Sequence, residues 1–181
     1  VSERARLRGT ERVSVATAGR TLDADTFVSD LLKEAHEGGI PFSPARDWLQ
    51  TVTPAHIDRH LRVESHHAQP VSVFLLLAPS VADGTALHDG SGTLLDASTL
   101  EHLFARQAGH LRFLLLLPTA ETDRRPDTSA LTLAVHRSGV QTVVGSRAAL
   151  HPDAARCFAT AFTARLRSAG TSVQEAYRGA V

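Results

Sequence analysis

The chain has 181 residues, 19 basic and 19 acidic side chains and no net charge, which is enough for one domain that buries most of its apolar surface without staples. With no basic run, one tyrosine and one tryptophan, it lacks the charged groove and the stacking platform that nucleic-acid binding demands. Cys157 alone excludes an intrachain disulfide, no apolar run approaches the ~18–20 residues of a membrane span, and the first residues lack a signal core; the expectation is a soluble, cytoplasmic protein.

Residues 1–11 are charged and small and read as a flexible lead-in to a first strand, Arg12 to Ala18, with Val13 and Val15 on one side. Asp23 or Asp25 can cap a helix carrying Phe27, Val28, Leu31, Leu32 and Ala35, closed by Gly38 and Gly39. Pro41 and Pro44 then interrupt the chain and leave a short second strand with no definite place. Thr53 and Pro54 predict a helix start, an N-cap followed by proline at the first helical position, with the helix running to about Arg62. Two continuous apolar runs, 71–78 and 111–117, each end in proline and have the length and composition of parallel strands buried on both faces.

Between them, Ser80 to Asp96 reads as a long glycine- and aspartate-rich loop, and Ser98 with Glu101 as a capping box for a helix carrying Leu100, Leu103 and Phe104. After the polar loop 121–126 come a helix over 127–138 with Leu131 and Val135 inward, a strand over 140–145, and a long helix over 153–169. The buried stripe of that helix is Ala155, Phe158, Phe162 and Leu166, and Ser172 with Glu175 opens a last helix. Strands alternating with helices predict a single α/β domain, a three-layer α/β/α sandwich with a mostly parallel sheet. Chemistry in such sheets sits past the carboxyl ends of the strands, here at Pro79, Ser80, Thr119 and Ala120.

The strand ending Val143-Val144-Gly145, the helix with Phe158 and Phe162, and the segment with Gly170, Ser172-Val173 and Glu175-Ala176 follow one another in an order that resembles the CHAT domains. These are caspase-like relatives of cysteine peptidases, often attached to TPR repeats in bacteria; the arginine bias, with Lys33 the only lysine, suits a high-GC bacterial coding sequence. The resemblance extends from Thr53 onward and implies a caspase-like fold. In that family the catalytic histidine follows the strand corresponding to 71–78, as His-Gly, and the cysteine follows the strand corresponding to 111–117, as Leu-Asn-Ala-Cys-Glu-Ser. This chain has Pro79-Ser80 at the first place and Ala120 at the cysteine position. Alanine supplies neither thiolate nor proton chemistry, so the resemblance implies a pseudo-peptidase that lost its dyad naturally and serves as a protein-interaction or regulatory module.

Two other readings stay open: a hydrolase using Ser80 as nucleophile and His88 as base, and a small-molecule-binding domain of flavodoxin-like type. The binding-cleft residues expected are Ser80, His88, Thr119, Glu121, Arg124 and Arg125, over an apolar floor of Leu87, Leu94 or Leu95, with a protein or peptide as partner. His56 and His60 have the i, i+4 spacing of zinc ligands, near His66 and His67, but lack the glutamate of His-Glu-x-x-His and read as an outward polar face. Cys157 reads as a small apolar residue in or near the core. Ala18-Gly19-Arg20 offers one glycine after the first strand, too few for a phosphate cradle, so neither cofactor nor metal is expected.

Overall fold

The computed structural model describes residues 12–18, 24–38, 40–50, 52–65, 70–89, 91–122 and 125–166. The predicted lead-in, the cap at Asp23, Gly19, Gly39, His66, His67, Arg124, the side chain of Leu166 and the helix begun by Ser172 lie outside this description. In chain order the elements are β1 (Arg12–Thr17), α1 (Ala24–Gly38), α2 (Pro44–Asp47), β2 (Trp48–Leu49), α3 (Pro54–Ser65), β3 (Val71–Pro79), β4 (Ala86–His88), β5 (Leu94–Asp96), α4 (Ala97–Ala105), β6 (Phe113–Thr119), α5 (Ser129–Arg137), β7 (Thr142–Gly145) and α6 (Pro152–Leu166).

β2-β1-β3-β6-β7 form one sheet in that order, with every neighbouring pair parallel, and β4 and β5 make a separate antiparallel hairpin. In β3 the side chains of Phe74, Leu76 and Ala78 meet α3, α4 and α5, while Val73, Leu75 and Leu77 meet α1 and α6. β6 divides the same way, with Leu114 and Leu116 on one face and Phe113, Leu115 and Leu117 on the other. Both faces are covered, so neither run alternates with polar residues. The result is the expected three-layer α/β/α sandwich. Its layering follows from one hand of crossover: the step from β1 out to β2 runs one way with α1 on one face, and the steps β2 to β3, β3 to β6 and β6 to β7 run the other way with their helices opposite.

Several elements differ from their sequence expectations. The expected loop 80–96 contains the β4–β5 hairpin, which buries Leu87 and Leu95 in the core. The N-cap of α4 is Asp96, accepting from Thr99 N at 2.7 Å, and Ser98 falls inside the first turn, where its carbonyl meets His102 Nδ1. Asp96 precedes Ser98 and takes the cap by its earlier place at the end of β5. Cys157 is exposed, because Ala155, Ala159 and Phe162 define the inward stripe of α6 and residue 157 lies off it.

At the amino end of the sheet, charges are buried. Arg12, 1 % exposed, donates from Nε to Asp47 Oδ1 at 2.6 Å and its Nη1 lies 2.5 Å from Glu64 Oε2; Asp47, wholly buried, also accepts Ser43 N at 2.8 Å. His60 is not on an outward polar face. It lies with Ile57, Leu61 and Glu64 at i, i+3, i+4 and i+7 spacing, and its Nε2 stands 3.0 Å from Ser14 Oγ of β1. The network ties β1, α2 and α3 together around the two-residue edge strand β2, which Trp48 Nε1 further fixes by donating to Thr17 Oγ1 at 2.9 Å. Removing one member of such a group strands a buried charge, which typically costs ~3–5 kcal/mol. Asp47→Ala is therefore expected to lower unfolding free energy by about that amount in urea titration, well beyond the ~0.5 kcal/mol typical of an exposed substitution.

Burial holds His60 below its ordinary value of 6.5, with Glu64 opposing, Arg12 reinforcing, Asp47 opposing and Arg46 reinforcing. The folded state thus keeps this imidazole neutral while the unfolded chain binds the proton first. Its contribution to stability is complete above the unfolded value and is lost as pH falls from there through the lowered folded value. Urea unfolding from pH 7.5 downward should show stability declining from about pH 6.5, above the range in which carboxylates protonate. His60→Gln should remove that part of the slope, and an unchanged slope would contradict the assignment.

Candidate binding cleft

Both apolar strands end in proline, and the pairing explains why those prolines are tolerated. Ser80 N donates to Thr119 O at 2.7 Å, so alternate residues of β3 turn toward β6, and the missing N–H of Pro79 faces the β1 side beyond the last β1–β3 pair, Thr17 with Leu77. Leu150 N donates to Pro118 O at 2.8 Å, so Pro118 lacks its N–H on the β7 side, past the last regular pair, Leu116 with Gly145. Each proline marks where a neighbouring strand stops. The two strand ends come out side by side, with Ala78 opposite Pro118 and Pro79 opposite Thr119.

A cleft of about 460 Å³ opens between them, lined by Pro79, Ser80, Val81, Ala82, Thr119, Ala120, Glu121, Thr122 and Pro126. The structure therefore brings together Pro79, Ser80, Thr119, Ala120 and Glu121 of the expected site. It leaves His88 and Arg125 outside the lining: in the hairpin Leu87 turns inward and His88 outward, and Arg125 is exposed. The floor differs from expectation as well. Leu87 and Leu95 are consumed by the core and Leu94 is exposed on the hairpin, so the apolar lining is Pro79, Val81, Ala82, Ala120 and Pro126 instead. Val81, Ala82 and Pro126 carried no sequence motif, their one signal being a place after a strand-ending proline or at the close of the next loop, while Thr122 stands at the serine position of the stretch that resembles Leu-Asn-Ala-Cys-Glu-Ser.

Around the cleft the polar groups are already engaged. Ser80 Oγ donates to Val81 O at 3.0 Å, Val81 N to Ala86 O at 3.0 Å, and Ala120 N to Leu150 O at 2.8 Å. A serine hydroxyl given to a backbone carbonyl, with no imidazole in the lining, is not poised for attack. Among the described residues Glu121 is the one ionisable side chain in the lining, and it lies exposed. The cleft thus offers small apolar walls and one carboxylate, a set suited to holding an extended ligand and poor in reactive groups.

The walls are held by tight local bonding. Thr85 donates from N (3.0 Å) and Oγ1 (2.7 Å) to Asp83 Oδ1, and these bonds, the side-chain one first, keep the Asp83 carboxyl below its usual range. At the hairpin tip, burial works to raise the Asp89 carboxyl, but bonds from Ser91 and Thr93 outweigh it and hold the group low. Gly84 has φ +78° and is buried against the neighbouring wall, where an added Cβ would overlap the Asp127 carbonyl. Left-handed backbone costs a non-glycine residue of order 1–3 kcal/mol before any clash. Gly84→Ala should destabilise the protein by at least ~1 kcal/mol and speed amide exchange over 81–86, measured by hydrogen exchange with mass spectrometry; protection unchanged over that segment would mean that the walls are not clamped there.

Among the described residues, no group of three histidine, cysteine, aspartate or glutamate side chains is placed to hold a metal ion, and no helix is long and apolar enough to cross a membrane. Neither a protein-family model nor a curated protein matches the chain in sequence.

Proposed function

We propose that the protein is a catalytically silent, caspase-like domain of CHAT type that acts as a protein-interaction or regulatory module, holding an extended peptide in the cleft between the ends of β3 and β6. One observation carries the reading. The two strand ends at which the CHAT family bears its histidine and cysteine are stitched together by the Ser80–Thr119 backbone bond, and they present Pro79, Ser80 and Ala120 to a formed cleft. A retained cavity without nucleophile or base is what remains when reaction chemistry is lost and binding is kept.

The strand order β2-β1-β3-β6-β7 also suits the small-molecule reading, because the order reverses at β1 and β3, where doubly wound sheets take their ligands. The cleft described here opens one strand further along, between β3 and β6, which favours the peptide reading. A hydrolase built on Ser80 and His88 is disfavoured by the carbonyl that holds Ser80 Oγ and by the outward turn of His88.

The test uses a Cys157→Ser background, since that exposed thiol would react with any electrophile. Peptidyl probes directed at cysteine and serine peptidases should leave the intact mass unchanged, and a capped peptide library should show no new termini after prolonged incubation. Peptides selected for binding should lose at least tenfold in affinity with Ala120→Trp, which fills the cleft, while the melting temperature holds. Probe attachment mapped to residues 79–82 or 119–122, or cleavage abolished by Ser80→Ala, would overturn the reading.

A further inference from the structure

A second groove lies away from the cleft, between α5 and β7, the last strand of the sheet. Among the described residues β7 pairs only with β6. Thr142 N donates to Arg112 O at 3.0 Å, so strand alternation turns the N–H and C=O of Val143 and Gly145 away from the sheet, to a side where no described strand pairs with them. Beside that edge a groove of about 310 Å³ is lined by Thr132, Leu133, His136 and Ser129 of α5 and by Val143, Gly145, Ser146 and Arg147. The α5 residues recur at i, i+3, i+4 and i+7, so they form one stripe along the helix, and Leu133 on that stripe is 47 % exposed.

Two features say what this groove takes. The open backbone edge asks for an extended chain, because only a strand supplies donors and acceptors at the required spacing. Among the described residues the ionisable groups in the lining are His136 and Arg147, with no carboxylate; Asp127, within electrostatic reach of Arg147, lies outside it and accepts Ser129 N at 2.8 Å. Gly145 permits the arrangement, since a Cβ there would run into Thr132 and push α5 away from the strand.

From this we infer that the β7 edge is a docking site for an extended acidic segment of a partner protein, which adds as a sixth strand and directs carboxylates toward Arg147, beside the start of α5, and toward His136, in its last turn. The backbone supplies pairing, and the Arg147 guanidinium with the His136 ring further along the helix supplies selectivity and register. This surface is independent of the cleft, and its occupation does not require the cleft to be filled or silent.

The probe is a fluorescent capped decapeptide of alternating valine and glutamate, compared by anisotropy with the same peptide carrying glutamine for glutamate. The full-length protein should bind the acidic peptide at least tenfold more tightly, and 0.5 M salt should shrink that preference. Val143→Pro removes an outward N–H without touching the β6 ladder and should abolish binding at an unchanged melting temperature. Should Val143→Pro fail to fold, the acidic peptide N-methylated at alternate residues serves in its place and should bind at least tenfold more weakly to the unaltered protein. Arg147→Glu should reverse the charge preference. Equal binding of the two peptides, binding indifferent to N-methylation and to Val143→Pro, no binding at all, or a self-association in ultracentrifugation that Val143→Pro abolishes would each overturn the inference, the last by showing a second copy on the edge.

Discussion

The parallel pairing of β3 with β6 is the constraint from which the rest of the molecule follows. It runs unbroken from Val73 opposite Phe113 to Pro79 opposite Thr119, and every residue between is buried, so both strands must be apolar on both faces and both faces must be roofed by helices. The roofing helices are supplied by connections of a single hand, which places α3, α4 and α5 on one side and α1 and α6 on the other. The same pairing brings two chain ends out at one edge of the sheet, and that edge is where the cleft forms. Fold and site are thus one consequence of two apolar runs.

What the cleft can do is decided by the residues that follow those runs. Pro79 and Pro118 withhold an N–H on their outer sides, toward β1 and β7, Ser80 N bonds Thr119 O across the strand ends, and Ser80 gives its hydroxyl to the Val81 carbonyl. A catalytic edge needs a nucleophile and a base held apart from competing partners; among the described lining residues Ser80 Oγ is held by the Val81 carbonyl. The opposite end of the sheet has the buried Arg12, Asp47, Glu64 and His60 group, whose effect is to fix the edge strand β2 and the helix α3 against β1.

The strands expected at 71–78 and 111–117, and found at 71–79 and 113–119, were legible in the sequence because burial on two faces leaves a continuous apolar run, here ended by proline and too short for a buried helix. The adjacency of Ser80 and Ala120 was legible for the same reason. Trp48–Leu49 was not, since a two-residue strand has no period of its own and exists through its pairing with Val15 and Ala16. The β4–β5 hairpin had a readable signal, leucines at 87 and 95 flanking Asp89 and two glycines, but strands of three residues give too little alternation to separate from a loop. Cys157 and His60 were both decidable by helical phase: 157 is off the Ala155–Ala159–Phe162 stripe and 60 is on the Ile57–Leu61–Glu64 stripe. The burial of Arg12 with Asp47 was out of reach, because a charged residue before an alternating strand looks the same whether it faces water or a distant carboxylate.

The central claim is that the strand-end cleft binds without reacting. Its most direct test is a two-dimensional NMR titration of the isotopically labelled protein with a mixture of capped decapeptides, followed by mass analysis of the same sample. The account predicts amide shifts at Ser80, Val81, Ala120 and Glu121 that saturate, with every peptide recovered intact. Shortened peptides, or amides at the cleft that stay still for every peptide while others move, would contradict it.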